Sequence, residues 1–308
     1  MNLAQIAVVG LALLTACSAA SSTSADPAGE PAQRGEGAAY ELLGTQVFDL
    51  ADPASGRAYQ LFVSLPKDYD ANPDRRYPTV YVTDADYGFP MLRLIARRMN
   101  GAGPRIDDFI LIGLSYETRQ DPMTSRRRDY TPTPNGPSSA PRGAVHGLSL
   151  RYRDYLDDTV IPFVEGRWRS QSERRIFVGH SYGGLLGAEI LLTRPEMFSG
   201  YVLGSTSFWF DKRYLLKAAP QMLDARQSLD ADVYLYVGEY EALRPGEPRY
   251  QQEVDMVGDN ATFADLLAAR GYDGLRLKAE VLDDEDHLSV APRGFTRGLE
   301  YLLPVTAQ

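Results

Sequence analysis

The stretch Arg175-Ile-Phe-Val-Gly-His-Ser-Tyr-Gly-Gly184 decides how this chain is read. A short apolar β-type run, Ile176 to Val178, feeds directly into Gly179-His180-Ser181-Tyr182-Gly183, and an amphipathic helical pattern follows from Leu185 to about Leu192. Strand, G-x-S-x-G and helix in immediate succession are the context of a nucleophile elbow, a strained turn that presents a serine hydroxyl outward. Positions 179 and 183 require glycine because the flanking backbone passes too close to admit a Cβ. The helix that follows offers unpaired N–H groups and a positive dipole end to a developing oxyanion. The bare pattern is weak, since a glycine-rich turn with an ordinary surface serine also satisfies it; the flanking strand and helix, with Gly184, give it weight. The stretch reads as the nucleophile turn of a serine hydrolase.

A serine hydroxyl attacks only when a base takes its proton, and the chain holds three histidines. His180 adjoins the serine, with its side chain directed away from the Ser181 hydroxyl. His146 reads as a polar residue ahead of a helix. His287, in Leu282-Asp-Asp-Glu-Asp-His-Leu288, follows the last strand pattern and is the expected base. An acid must orient the imidazole and stabilise its cation. It is sought after the strand pattern Val233–Val237, in Gly238-Glu239-Tyr240-Glu241. Both glutamates are candidates, and Glu241, three residues past Gly238, is preferred on spacing. Asp283, Asp284, Glu285 and Asp286, beside His287, read either as further acids of the site or, the preferred reading, as a solvated turn. Nucleophile, acid and histidine in that chain order are the order of an α/β-hydrolase.

The rest of the chain agrees with such a fold. Strand patterns occupy Val47–Leu50, Ala58–Leu65, Thr79–Val82, Phe109–Leu114, Ile176–Val178, Tyr201–Leu203, Val233–Val237 and Leu275–Val281. Helical patterns lie near Met91–Met99, Tyr152–Phe163, Leu185–Thr193, Asp211–Ala218, Ala261–Ala269 and Arg293–Leu302. Apolar strands alternating with helices imply a mostly parallel central sheet with helices on both faces, and the first two strands suit an antiparallel edge. Ligands in such sheets bind beyond the carboxyl ends of the strands. One long irregular stretch, Tyr116 to Gly147, reads either as a wall or lid over the site or as a solvated insertion. Within it, Arg126 and Arg128 would suit an anionic substrate through bidentate contacts; the competing reading has one arginine pairing with Asp129 to pin the loop. Trp209, between Phe208 and Phe210, reads as a pocket wall or as plain core.

Composition bounds the alternatives. With 308 residues, 44% of them hydrophobic and 24% charged, the chain can bury a sizeable core, and a formal charge of −9 argues against a general nucleic-acid binder. Cys17 is the only cysteine, so disulfides and thiolate zinc sites are excluded, and no cofactor or metal is implied. Met1 to Ala16 is nearly uncharged and ends Leu14-Thr15-Ala16-Cys17, which resembles a bacterial lipoprotein signal with Cys17 as the lipidated residue. An ordinary cleaved signal peptide is the alternative. Either implies export to the periplasm or cell envelope, and the first adds a lipid anchor to the membrane. The expected organisation is a signal over 1–17, a Ser-, Ala-, Pro- and Gly-rich linker over 18–39 and a catalytic domain over 40–308.

Several segments carry a family resemblance: Tyr77-Pro-Thr-Val-Tyr-Val-Thr-Asp84, Arg126-Arg-Arg-Asp-Tyr-Thr-Pro132, Phe177-Val-Gly-His-Ser-Tyr-Gly-Gly184, Ser205-Thr-Ser-Phe-Trp-Phe210, and the tail from Gly238-Glu-Tyr-Glu241 to His287. Together they resemble the esterase family of α/β-hydrolases that includes enterochelin (siderophore) esterases and esterase D-like enzymes, over about Tyr40 to Leu303. The resemblance implies an oxyanion hole formed by the backbone amides of Tyr182 and Asp86. Where that family usually reads Leu-Asp-Gly, this chain has Thr83-Asp84-Ala85. It further implies a serine carboxylic-ester hydrolase working through an acyl-enzyme on a small-molecule ester, the siderophore type included. A general short-chain carboxylesterase, an acyltransferase and a non-catalytic binding protein on the same scaffold are the rival readings.

Overall fold

Every apolar run read as a strand forms one in the computed structural model, which describes residues 32–305. The strands are β1 (Thr45–Ala51), β2 (Ala58–Ser64), β3 (Tyr77–Val82), β4 (Ile110–Leu114), β5 (Ser170–His180), β6 (Gly200–Gly204), β7 (Ala231–Gly238) and β8 (Leu275–Leu282). They build one sheet in the order β1-β2-β4-β3-β5-β6-β7-β8. β2 pairs antiparallel with β1 and with β4, and all other neighbours are parallel. β3, β4 and β6 are buried at every position, as expected of central strands covered on both faces.

The helices are α1 (Ala85–Met99), α2 (Pro122–Tyr130), α3 (Ser149–Tyr155), α4 (Ile161–Arg167), α5 (Tyr182–Thr193), α6 (Phe210–Asp224), α7 (Met256–Ala268) and α8 (Val290–Leu302). A π-helical turn, Leu156–Val160, joins α3 to α4. The period-two alternation of β6 separates the two helical layers. Added Cβ atoms show this directly: one on Gly298 of α8 would meet Val202, and one on Gly187 of α5 would meet Leu203 and Phe177.

Two expectations change. The helix after the elbow is not amphipathic: Tyr182 to Leu192 are all buried, because α2, α3 and α6 cover the side facing away from the sheet. The stretch 116–147 is not irregular throughout, since α2 occupies Pro122–Tyr130 and its N-cap Asp121 accepts a hydrogen bond from the Thr124 amide at 3.0 Å. Ser125, Arg128, Asp129, Tyr130, Thr131, Thr133 and His146 are buried there, so α2 and its flanks are packed, while most of 134–145 is exposed, as a solvated insertion would be.

The chain divides into two units, with the boundary between Leu43 and Gly44. The described part of the first, residues 32–43, has no strand or helix and is tied by Arg34–Glu41 and Gln33–Glu41 contacts. The signal reading of residues 1–17, Cys17 included, and the first part of the 18–39 linker lie outside the described residues.

Candidate active site

Ser181 sits between the central strand β5 and the buried helix α5, with φ 60° and ψ −118°. This is sparsely populated backbone for a residue with a Cβ and costs on the order of 1–3 kcal/mol. The two elbow glycines explain how the turn closes. A Cβ on Gly179 would lie 2.3 Å from the Gly183 carbonyl oxygen, and one on Gly183 would lie 2.2 Å from Thr83 Oγ1. The second contact also brings the β3–α1 turn against the start of α5. Two helix N-termini therefore meet beside Ser181, and their first-turn amides include those of Tyr182 and Asp86.

The β3–α1 turn is made by Asp84, which adopts left-handed backbone (φ 54°). Its buried carboxylate accepts from Arg126 Nε at 2.8 Å and Nη2 at 3.2 Å, from the Tyr116 hydroxyl at 2.6 Å and from the Tyr87 hydroxyl at 2.9 Å. Arg126 Nη2 also donates to the His180 carbonyl at 3.2 Å, so one guanidinium ties the turn to the elbow. Ala85 fits where the family usually has glycine, because it is already the first residue of α1.

The imidazole of His287 comes from the loop after β8. Its Nδ1 lies 2.6 Å from Glu241 Oε2, and its ring centroid is 4.7 Å from that of His180. Glu241 occupies the short turn after β7 and is fully buried. Burial alone pushes its carboxyl pKa up, but hydrogen bonds from His287, from Ser205 Oγ (2.5 Å) and from the Gly238 amide (2.9 Å) hold it below the usual value. An ionised carboxylate only accepts, so the hydrogen bond to Glu241 places a His287 proton on Nδ1. Glu239 does not reach the imidazole. Its carboxylate accepts from the Asp284 amide and the Tyr250 hydroxyl, each at 3.0 Å, and so shapes the loop that carries His287.

His180 performs a similar task from the other side. It is buried, and that burial, with His287 nearby, pulls its pKa down to about 3. A neutral ring with Nε2 2.9 Å from the His287 carbonyl must donate from Nε2, leaving Nδ1 to accept from the Tyr236 hydroxyl at 3.3 Å. The acidic run before His287 is also more than a solvated turn. Asp286 Oδ1 accepts from the Leu288 and Ser289 amides at 2.8 and 2.9 Å, and Asp284 Oδ1 accepts from the Tyr240 hydroxyl at 2.7 Å.

Other expected site residues fare differently. Arg126 and Arg128 are spent internally: Arg126 on Asp84, Arg128 on Asp129 (2.7 Å) and Glu117 (2.9 Å). Their side chains are only 11% and 4% exposed, so neither guanidinium is presented to a ligand. Trp209 is half-buried with its ring 5.9 Å from that of Tyr182, whereas Phe208 and Phe210 are core. His146 is packed in the loop near Gly136 and Phe210. Asp84, His180, Ser205 and Ser207 touch the site residues, a part that the sequence reading did not give them. Ser205 and Ser207 lie at the carboxyl end of β6, the edge where ligands bind in such sheets, and that position was the available signal.

Sheet order, the elbow at Ser181 and the His287–Glu241 pair on the loops beyond the carboxyl ends of the strands define an α/β-hydrolase. The family model described as "Putative esterase" matches residues 53–275, well over half of the chain. The chain belongs to that family and is a hydrolase that cleaves esters. It is 27% identical over 278 residues to the ferri-bacillibactin esterase BesA of Bacillus subtilis, covering 86% of this chain and 91% of that protein. To the siderophore triacetylfusarinine C esterase of Aspergillus fumigatus it is 29% identical over 261 residues, covering 79% and 88%. Among solved structures, an IroE-like serine hydrolase from Shewanella oneidensis superposes with a TM-score of 0.73 at 26% identity, over 84% of this chain and 80% of that one.

Proposed function

We propose that this chain is a serine esterase that cleaves siderophore esters through an acyl-enzyme. The observation that carries the proposal is the 2.6 Å contact between His287 Nδ1 and Glu241 Oε2, with the imidazole packed against His180 beside Ser181. Ser181 Oγ attacks the ester carbonyl carbon while His287 Nε2 takes its proton. Glu241 steadies the resulting imidazolium through Nδ1. The carbonyl oxygen, now anionic, is held by the amides of Tyr182 and Asp86 at the two helix starts. Collapse breaks the bond to the alcohol, which leaves with the proton from His287. Water, deprotonated by the same nitrogen, then releases the acid and restores Ser181.

The substrate class rests on relatives named for ferri-bacillibactin and triacetylfusarinine C. Trp209 and Tyr182 supply an aromatic wall suited to aryl groups. Export and lipidation at Cys17 complete the proposal, resting on the Leu14-Thr15-Ala16-Cys17 sequence. The test is an ester panel with ferric and iron-free catecholate siderophores beside simple acyl esters. Turnover of the siderophores at kcat/KM at least tenfold above simple esters supports the reading; equal, weak turnover of all makes this a generalist carboxylesterase. Ester loss without acid release, with an added alcohol consumed, makes it an acyltransferase. Cys17→Ser should release the protein from membranes, and unchanged fractionation removes the anchor.

A further inference from the structure

The hydroxyl of Ser181 makes its hydrogen bond to Ser207 Oγ, at 3.2 Å, and none to His287. Ser207 is a fixed point. It is 1% exposed, its amide donates to the Ser181 carbonyl at 3.3 Å, and its own carbonyl accepts from the Phe210 amide at 3.1 Å. Ser181 is partly exposed, and its side chain has staggered wells to choose between. One well is occupied here by the contact with Ser207. The productive well is the one that turns Oγ toward His287 Nε2.

We propose that Ser207 is a positioning residue that holds the Ser181 hydroxyl in a resting rotamer turned away from His287. The Ser–His contact then forms only as the incoming carbonyl engages the two helix N-termini and draws Oγ across. This inference rests on Ser181 being the nucleophile and adds a restraint on it. The same three-residue segment serves both ends of the site, since Ser205, in left-handed backbone at φ 40°, donates to Glu241 while Ser207 binds Ser181. A neutral hydrogen bond contributes about 1 kcal/mol net, a bias of about fivefold between rotamers.

The test is the rate at which a fluorophosphonate probe labels the full-length, substrate-free protein, followed by intact mass. Labelling joins Oγ to phosphorus, expels fluoride and passes the serine proton to His287, so it reports the population with Oγ at the base. Ser207→Ala is expected to label about fivefold faster than wild type, with the pH midpoint of labelling unchanged because His287 is untouched. Unchanged or slower labelling overturns the proposal; slower labelling would make Ser207 an aid to attack. Loss of folded protein lowers the fraction labelled and does not speed labelling of what remains. Should Ser207→Ala not fold, Ser207→Cys fills the site with a slightly larger side chain and weakens the bond, and it too must label faster than wild type for the proposal to stand. Ser181→Ala separates the two ideas, since continued labelling there removes the nucleophile itself and leaves Ser207 nothing to restrain.

Discussion

Replacing Ser205 by alanine tests how the buried acid is kept charged. The Glu241 carboxylate is 0% exposed and has three donors: His287 Nδ1, Ser205 Oγ and the Gly238 amide. Ser205→Ala leaves Oε1 with the amide alone. A hydrogen bond to a charged group contributes about 1.5–3 kcal/mol, which corresponds to raising the carboxyl pKa by about 1–2 units. Glu241 is depressed below its ordinary value of 4.5 in the fold, so it adds stability above that value and loses it as pH falls through the lower, folded pKa. The variant should therefore be about 1.5–3 kcal/mol less stable than wild type near pH 8, with the gap narrowing as pH drops below about 4.5. Urea unfolding of both proteins at several pH values measures this. The left-handed backbone at Ser205 adds at most a pH-independent offset. A difference that stays constant with pH, or stays below about 0.5 kcal/mol at pH 8, refutes the argument.

Glu241→Gln should lower kcat by about 100- to 10,000-fold, by analogy with the loss of the orienting acid in serine proteases, whereas Glu239→Gln should lower it less than tenfold; p-nitrophenyl ester kinetics would expose the reverse order. Arg126→Ala strands the buried Asp84 carboxylate and should cost about 3–5 kcal/mol of unfolding free energy; a fully stable variant with only a raised KM would instead place Arg126 in substrate binding. Glu189, buried in α5, has its pKa pushed up to about 7 by burial, with Ser149 and Arg153 opposing. Its folded form keeps a proton that the unfolded chain releases between about 4.5 and 7, so wild-type stability should fall as pH rises through that window. Glu189→Gln should abolish that slope and be more stable by up to about 3 kcal/mol at pH 8, and thermal melts that decline in parallel for both proteins would contradict this.

The sheet was readable because its strands are short apolar runs punctuated by turn residues, and the elbow because two glycines serve a backbone approach that no other residue permits. His287 was singled out by chain order and a small number of candidates. Spacing favoured Glu241 over Glu239 without excluding either, since the two follow β7 by three residues and by one; only the structure shows that Glu241 turns inward to the imidazole. Helix α2 was missed although Asp121-Pro122 is an ordinary helix start; its polar sequence hides an inner face held by ion pairs instead of apolar packing. For the same reason the arginines suggested a ligand. Nothing in Arg126-Arg-Arg-Asp129 states that the anion for Arg126 lies 42 residues earlier, at Asp84. Ser205 and Ser207 stood in a segment singled out for its aromatic residues, and their hydroxyls acquire partners only once β5, β6 and β7 are side by side.

The most direct measurement is to quench the protein during turnover of a slowly hydrolysed aryl ester and map the acyl group by peptide mass spectrometry. One acyl group on the peptide holding Ser181, absent from Ser181→Ala and trapped poorly in His287→Ala, is the expected result. Continued turnover with no adduct, or an adduct on another residue, would contradict the assignment of Ser181 as nucleophile.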